Sequence, residues 1–299
     1  MNPVAEFGID TLDPSGSSLK FKGFPSNRGY ALDMRSQLKD GQNVISEKAL
    51  ELMMQVAVAD PLDSVSRAEI VMRRFEAAIS IGLISSGDHL PPEAILAEGL
   101  GVSPLTLRHG LYLLRDKGLV ETRRGRGGGS LISGNVLLSD SEIDQRLRNI
   151  ATDELRDLYD LATVMVRGAA RLCAQRAEEK DLSRLRTRNE QFLAETTGSG
   201  LRRSAGRFYI ALGVAAQSQQ LTSLLVRIQT EIAPLTWPTS QINTRKEQAY
   251  VEHAAIIDAI SSKDIAEAER LVTEHFEAEE IIAVGRHLQL ISKEAVDDK

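Results

Sequence analysis

Apolar residues recur every three or four positions over most of the chain from Ser66 onward, the period of a helix with one buried face. Ser66 stands as an N-cap before a helix that carries Ile70, Phe75, Ala78 and Ile79 inward, with Gly82 and Gly87 punctuating its end. Pro91 and Pro92 open a short second helix, Glu93 to about Gly99, because proline suits a first helical turn. After the turn Gly99-Leu100-Gly101-Val102, Ser103 caps a third helix with Pro104 in its first position. That helix runs to Lys117, turns Leu107, Leu111 and Leu114 inward, and stops at Gly118. The period then changes to two. Leu119, Val120 and Thr122 begin a strand, residues 123–129 make a glycine-rich turn, and Ser130-Leu131-Ile132 returns as the partner strand. Helix, helix-turn-helix and hairpin in this order predict a winged helix-turn-helix over residues 64–135.

From residue 151 to 285 the pattern is helix after helix. Leu155, Leu158, Leu161, Met165 and Leu172 form one stripe, and Leu182, Leu185 and Phe192 another, with breaks at 196–200, 234–240 and 261–264. The predicted fold is therefore mostly α, a winged helix-turn-helix followed by an all-α bundle of six or seven helices. Residues 136–150 are expected as a linker and 286–299 as a C-terminal tail. Residues 1–63, rich in Gly, Ser, Pro, Asp and Asn, read as a mostly disordered arm. Their one amphipathic stretch is 46–58, with Leu50, Met53, Met54, Ala57 and Val58 on one helical face.

A chain of 299 residues accommodates these two domains. A net charge of -6 argues against a protein that coats nucleic acid over its whole surface, but leaves room for one basic face. Cys173 is the only cysteine, so no disulfide forms within the chain, and a reducing cytoplasm is the expected location. No apolar run reaches the roughly 18 residues of a membrane span. An enzyme is not expected: the chain has no phosphate loop, no Gly-x-Ser-x-Gly elbow and no paired-cysteine metal motif. Glu252 and His253, adjacent on a helix, point roughly 100° apart and make no acid–base pair.

The third helix offers Thr106, Arg108, His109, Tyr112, Arg115 and Lys117 at its polar positions, and the hairpin adds Arg123, Arg124, Gly125 and Arg126. An arginine on such a helix has the reach to contact guanine in two places, or a phosphate. Arginines on a glycine hairpin suit phosphate contact or minor-groove insertion. The hairpin alone would read equally well as a solvated basic turn. Behind a capped recognition helix, it reads as part of a surface for double-stranded DNA.

The ordered string Leu90-Pro91-Pro92-Glu93, Leu96-Ala97, Leu100-Gly101-Val102-Ser103, Thr106-Leu107-Arg108, Leu113 to Val120 and Arg124-Gly125-Arg126-Gly127-Gly128 resembles the GntR superfamily of bacterial regulators. The triple-glycine wing and the helical partner domain resemble its FadR-like branch, whose effector domain is called FCD. The resemblance implies a homodimeric regulator, more commonly a repressor, that binds operator DNA and answers to a small-molecule effector. It places Arg108 on the recognition-helix arginine, Arg124 and Gly125 on wing contacts, and Thr106 where a hydroxyl meets a phosphate. Ala94 and Pro104 stand where the family usually has arginines, so its common operator does not transfer, and Leu105 is free to meet a thymine methyl. The alternative is an effector-independent or degenerate DNA-binding or scaffolding protein of the same fold.

The same branch often holds a metal ion through an aspartate and three histidines. Glu252-His253 and Thr273-Glu274-His275-Phe276 match that pattern, and Phe208 is in register. However, Ala205 stands for the aspartate and Tyr209 for the first histidine, while Ala162 and Val166 replace an arginine and a glutamate. Two histidines hold a divalent ion weakly, and a tyrosine ligates only as phenolate, against a pKa of about 10. No metal or other cofactor is expected. Tyr209, His253 and His275 are expected to form an effector pocket, either as hydrogen-bonded lining or as donors to a ligand. With the arginine and the metal gone, that pocket favours a neutral or apolar ligand, or stays empty.

Overall fold

The computed structural model describes residues 45, 66–123, 129–134, 139–237 and 242–297. The winged helix is built from α1 (Arg67–Ser80), α2 (Glu93–Gly99), α3 (Pro104–Asp116), β1 (Val120–Arg123) and β2 (Gly129–Ile132). Ser66 and Glu69 cap α1 reciprocally: Ser66 Oγ accepts from Glu69 N–H at 3.2 Å, and Glu69 Oε2 accepts from Ser66 N–H at 2.7 Å. Ser103 Oγ accepts from Thr106 N–H at 3.1 Å to start α3, and Gly118, with φ +69°, ends it. The strands pair antiparallel, Val120 opposite Ile132 and Arg123 opposite Gly129.

The inward face of α1 differs in one position from expectation. Val71 is buried beside Phe75, Ala78 and Ile79, whereas Ile70 is only partly covered. The reason lies at the crossing with α3. A Cβ on Gly110 would sit 2.7 Å from Val71 Cγ1, so the two helices approach closely where valine meets glycine. Ile45 is also a core member, with its N–H donating to His89 C=O at 3.1 Å, although it falls in the stretch expected as a disordered arm. The rest of that stretch, including the helix proposed for 46–58, lies outside the described residues.

The second unit contains α4 (Asp140–Asn149), α5 (Thr152–Arg176), α6 (Glu179–Ala194), α7 (Gly198–Ala215) and α8 (Gln219–Ile232). A 3-10 turn (Ala233–Leu235), α9 (Ile242–Ser261) and α10 (Ile265–Asp297) complete it. α5 is the central helix and packs on α7, α8, α9 and α10. Its buried stripe is Leu155, Tyr159, Ala162, Val166, Ala169, Ala170 and Cys173, so of the predicted stripe only Leu155 lies fully inside. Leu161 is 50% exposed, and Leu158, Met165 and Leu172 only pack at the margin. Small side chains let four helices close on one, so the alanines face inward.

Two boundaries also move. The expected linker 136–150 contains α4, which has a Ser139–Glu142 capping box and fully buried Ile143 and Leu147. The expected tail 286–299 continues α10 to Asp297, and its His287 is buried, with Nδ1 2.6 Å from Leu147 C=O and Nε2 2.8 Å from Thr152 Oγ1. Among the described residues no helix is long and apolar enough to cross a membrane.

The two units share a joint. Ile81, just past α1, packs with Ile210 of α7, Val226 of α8 and Ala233. Arg207 of α7 donates through Nε to Gly82 C=O at 2.9 Å, and through Nη2 to Ser85 Oγ.

Candidate DNA-reading face and effector cavity

The start of α3 stands clear of the core. Leu105 is 76% exposed and Tyr112 61%, while Leu107, Leu111 and Leu114 are fully buried, so the helix presents one face outward. Thr106 is half-buried at the N-terminus, with its hydroxyl 2.9 Å from Ser103 Oγ. Arg108 and His109 are exposed. Arg108 Nε donates to Glu93 Oε2 of α2 at 2.7 Å, which ties one edge of the guanidinium and leaves the two Nη groups outward. Arg115 reaches to the hairpin instead, donating to Thr122 Oγ1 at 3.0 Å. Arg123 is exposed at the end of β1 and pairs with Glu121 at 2.8 Å. Arg124, Gly125 and Arg126 lie outside the described residues. The structure thus sets Arg108 and His109 on the exposed face of α3 with Leu105 and Tyr112, and leaves Thr106 half-buried to one side at the helix N-terminus.

Inside the bundle, α7, α9 and α10 bring Tyr209, His253 and His275 together. His275 Nδ1 lies 2.5 Å from Glu252 Oε2, and His275 Nε2 lies 2.6 Å from the Tyr209 hydroxyl. A carboxylate only accepts, so Nδ1 carries the hydrogen, and in the neutral ring Nε2 accepts from Tyr209. His253 Nδ1 faces Asn189 Oδ1 at 3.1 Å, while Asn189 Nδ2 donates to Tyr250 C=O at 2.9 Å. Asn189 is therefore the acceptor, and His253 Nε2 is left as a buried lone pair with no hydrogen-bond partner. His253 stacks on Phe208, ring centroids 4.0 Å apart.

Arg245 was not anticipated. Its buried guanidinium places Nη2 2.7 Å from Glu252 Oε2 and 3.1 Å from Glu279 Oε1. Arg245 and Glu252 stand seven residues apart, two turns along one face of α9, and that spacing was the available signal. Burial alone would raise the Glu252 carboxyl, but hydrogen bonds from His275 and Arg245 outweigh it and hold the group at about 2. Burial pushes Glu279 up, against the pull of His275 and Arg245. Burial, reinforced by the nearby Arg245 charge, pushes His253 well below its ordinary 6.5, and burial pushes the Tyr209 phenol well above 10.

These residues do not fit the metal ion that the helical domain's relatives often hold. Ala205 supplies no donor, one histidine nitrogen is taken by a hydroxyl, and the third candidate ligand is a phenol that resists deprotonation. Beside this cluster lies a small cavity, with room for about one water molecule, lined among others by Tyr159, Arg202, Tyr209, Gln229, Trp237 and Glu279. His253 and His275 stand behind its Tyr209 wall rather than in its lining. Elsewhere in the bundle Cys173 is buried, and burial pushes its thiol up.

Residues 67–128 match the family model described as bacterial regulatory proteins, gntR family, and residues 157–278 match the FCD domain. A protein named HTH-type transcriptional regulator RmpR, from Mycobacterium gastri, is 32% identical over 216 residues, 72% of this chain and 79% of that one. The HTH-type transcriptional regulator LutR of Bacillus subtilis (strain 168) is 25% identical over 219 residues, 69% of this chain and 96% of its own. A solved structure of E. coli McbR/YncC covers 75% of this chain and 100% of that chain at 15% identity, with a TM-score of 0.46.

Proposed function

Because the chain belongs to the gntR family of bacterial regulatory proteins and joins an FCD domain to its winged helix, we propose that it is a repressor released or tightened by a small molecule in the helical domain. The family consists of DNA-binding transcription regulators. The observation that carries the effector reading is the double role of α7. Arg202, Ala205 and Tyr209 line the cavity, while Gly206, Arg207 and Ile210 hold the winged helix. A ligand that favours one position of α7 therefore biases where the winged helix sits.

In this reading Arg108 contacts base edges or phosphate, Thr106 and His109 flank it, and Arg123 to Arg126 meet the backbone. The protein acts in the cytoplasm as a homodimer without a resident metal and without catalysis. Twofold symmetry doubles the few base pairs that one recognition helix reads. Leu161 and Val164, exposed on α5, supply apolar surface for such contact.

Fluorescence anisotropy with the DNA upstream of the chain's own gene, against a scrambled duplex at equal salt, tests the reading. Specific binding should exceed non-specific binding by about a thousandfold or more. Equal affinity for both duplexes overturns it.

A further inference from the structure

α5 carries a second seam on the side turned away from the bundle. Its inward face is taken up by Leu155, Tyr159, Ala162, Val166, Ala169 and Cys173. On the outward side Asp157, Leu161, Val164, Gly168, Arg171 and Gln175 follow one another at alternating steps of four and three. That spacing sets all six on one ridge, and it is the repeat by which two helices pack along their length. Leu161 is 50% exposed and Val164 70%, so the middle of the ridge is apolar and open to solvent. Asp157, Arg171 and Gln175 are exposed beyond it on either side.

The charges are arranged about Val164. Asp157 stands seven residues before it and Arg171 seven after. Asp153, Asp157 and Asp160, all exposed, make the first half of the ridge acidic, and none of them forms an ion pair among the described residues. In the second half Arg167 and Arg171 share the single carboxylate of Glu269, at 3.4 and 2.9 Å, so one positive charge is in excess there. A helix that is acidic before its apolar centre and basic after it repels a parallel copy of itself, like charge against like. An antiparallel copy sets acid against base at both ends.

We propose that this ridge docks the α5 of a second copy of the chain, antiparallel, with the twofold axis passing beside Val164. Val164 then packs on the partner's Val164, and Leu161 lies along the stem of the partner's Arg167. Asp157 faces the partner's Arg171, and symmetry makes each of the off-axis contacts occur twice. At the rise of an α-helix, both members of that charged pair stand about 10 Å from the axis, so they meet without any shift of register. The inference rests on the homodimer reading above and names the surface and register that the reading leaves open.

The register is tested by cross-linking the full chain with a short bis-maleimide, as Val164→Cys and separately as Gln175→Cys. The parent, whose Cys173 is buried, is the blank. The antiparallel register puts the two copies of residue 164 side by side and the two copies of residue 175 roughly 30 Å apart. Val164→Cys should therefore give a covalent dimer and Gln175→Cys should not. Asp157→Arg and Arg171→Asp should each raise the concentration at which half the protein is dimeric by about tenfold, and combining them should recover most of that loss. Linking at residue 175, with or without linking at 164, overturns the proposal, as does a combined variant that recovers nothing. Linking at neither position in a protein whose light-scattering mass is twice 32.8 kDa places the interface elsewhere. That result overturns the proposal and leaves the homodimer reading standing. A parent chain of monomeric mass at micromolar concentration, with and without operator, overturns both.

Discussion

The Tyr209 hydroxyl lies 2.6 Å from His275 Nε2, on the ring nitrogen that a metal ion would need. A proton thus sits where related helical domains often place a cation. Glu252, on the other ring nitrogen, holds the imidazole in the orientation it would have as a ligand. His253 is set in the same way by Asn189. The supporting partners of a metal site are present, and two of its ligands are not.

The first prediction follows from that pairing. The unmodified protein should purify without stoichiometric zinc, nickel or manganese, and chelators should leave its Tm unchanged. Ala205→Asp combined with Tyr209→His supplies the two absent donors and should make Tm rise with added zinc. Elemental analysis and thermal unfolding with and without chelator check both statements. One bound metal per unmodified chain would contradict the first, and a metal-indifferent Tm in the double variant the second.

Acid should destabilise the bundle in two windows. His253 stays neutral when folded, because its pKa is pushed well below 6.5, whereas the unfolded chain takes up the proton. The unfolded state then binds more protons, so stability falls as pH drops below about 6.5, by up to roughly 1.4 kcal/mol per unit. Glu252, held at about 2 against an ordinary 4.5, keeps its charge when folded while the unfolded chain protonates. Its contribution is complete above about 5 and is lost as pH falls toward 2. Unfolding measured across pH should therefore show the lower window removed in Glu252→Gln. An identical profile for the variant and the parent would contradict the assignment.

At the DNA face, Glu93 and Arg108 form an exposed ion pair, which contributes little to stability. Its value is orientation, since a tied Nε leaves Nη1 and Nη2 to reach a guanine edge or a phosphate together. Arg108→Ala should weaken operator binding by about 1–3 kcal/mol with Tm unchanged. Glu93→Gln should keep binding to random DNA and narrow the gap between operator and random sequence. Anisotropy titrations on both duplexes decide this, and unchanged operator affinity in Arg108→Ala removes the arginine from the reading face.

The winged helix was legible in the sequence because local signals carry it. Ser66, Ser103, Pro104 and Gly118 set the ends of α1 and α3 by cap chemistry that depends on neighbours a few residues away. α4 carries the same kind of signal in Ser139 and Glu142, but it lies in a short polar stretch whose only buried residues are Ile143 and Leu147. The stripe on α5 was misread for a different reason. Leucine counts point to Leu161, while the choice between Leu161 and Ala162 is made by how closely α7 and α10 approach. In the site, Tyr209, His253 and His275 came from the resemblance to the FCD branch, by their match in register to its metal pattern. Arg245, Gln229 and Tyr159 did not, because what gathers them is the packing of separate helices around one cavity.

The last prediction concerns the joint between the two units, where Gly206 of α7 meets Ile81. A Cβ added at Gly206 would lie 2.6 Å from Ile81 C=O oxygen and 3.2 Å from Ile81 Cα, both backbone atoms that cannot rotate away. Gly206→Ala must therefore separate α7 from the end of α1, at a cost of about 1–3 kcal/mol. Gly168 on α5 is the internal control, since nothing lies within 4 Å of its added Cβ. There alanine should stabilise by up to about 1 kcal/mol through helix propensity. Thermal unfolding should move the two variants in opposite directions. Hydrogen exchange should quicken at the amides of residues 81–84 in Gly206→Ala and stay slow along α3, which keeps its own core of Leu107, Leu111 and Leu114. Equal Tm shifts of the same sign, or unaltered exchange at 81–84, would mean that the winged helix does not depend on α7 for its position.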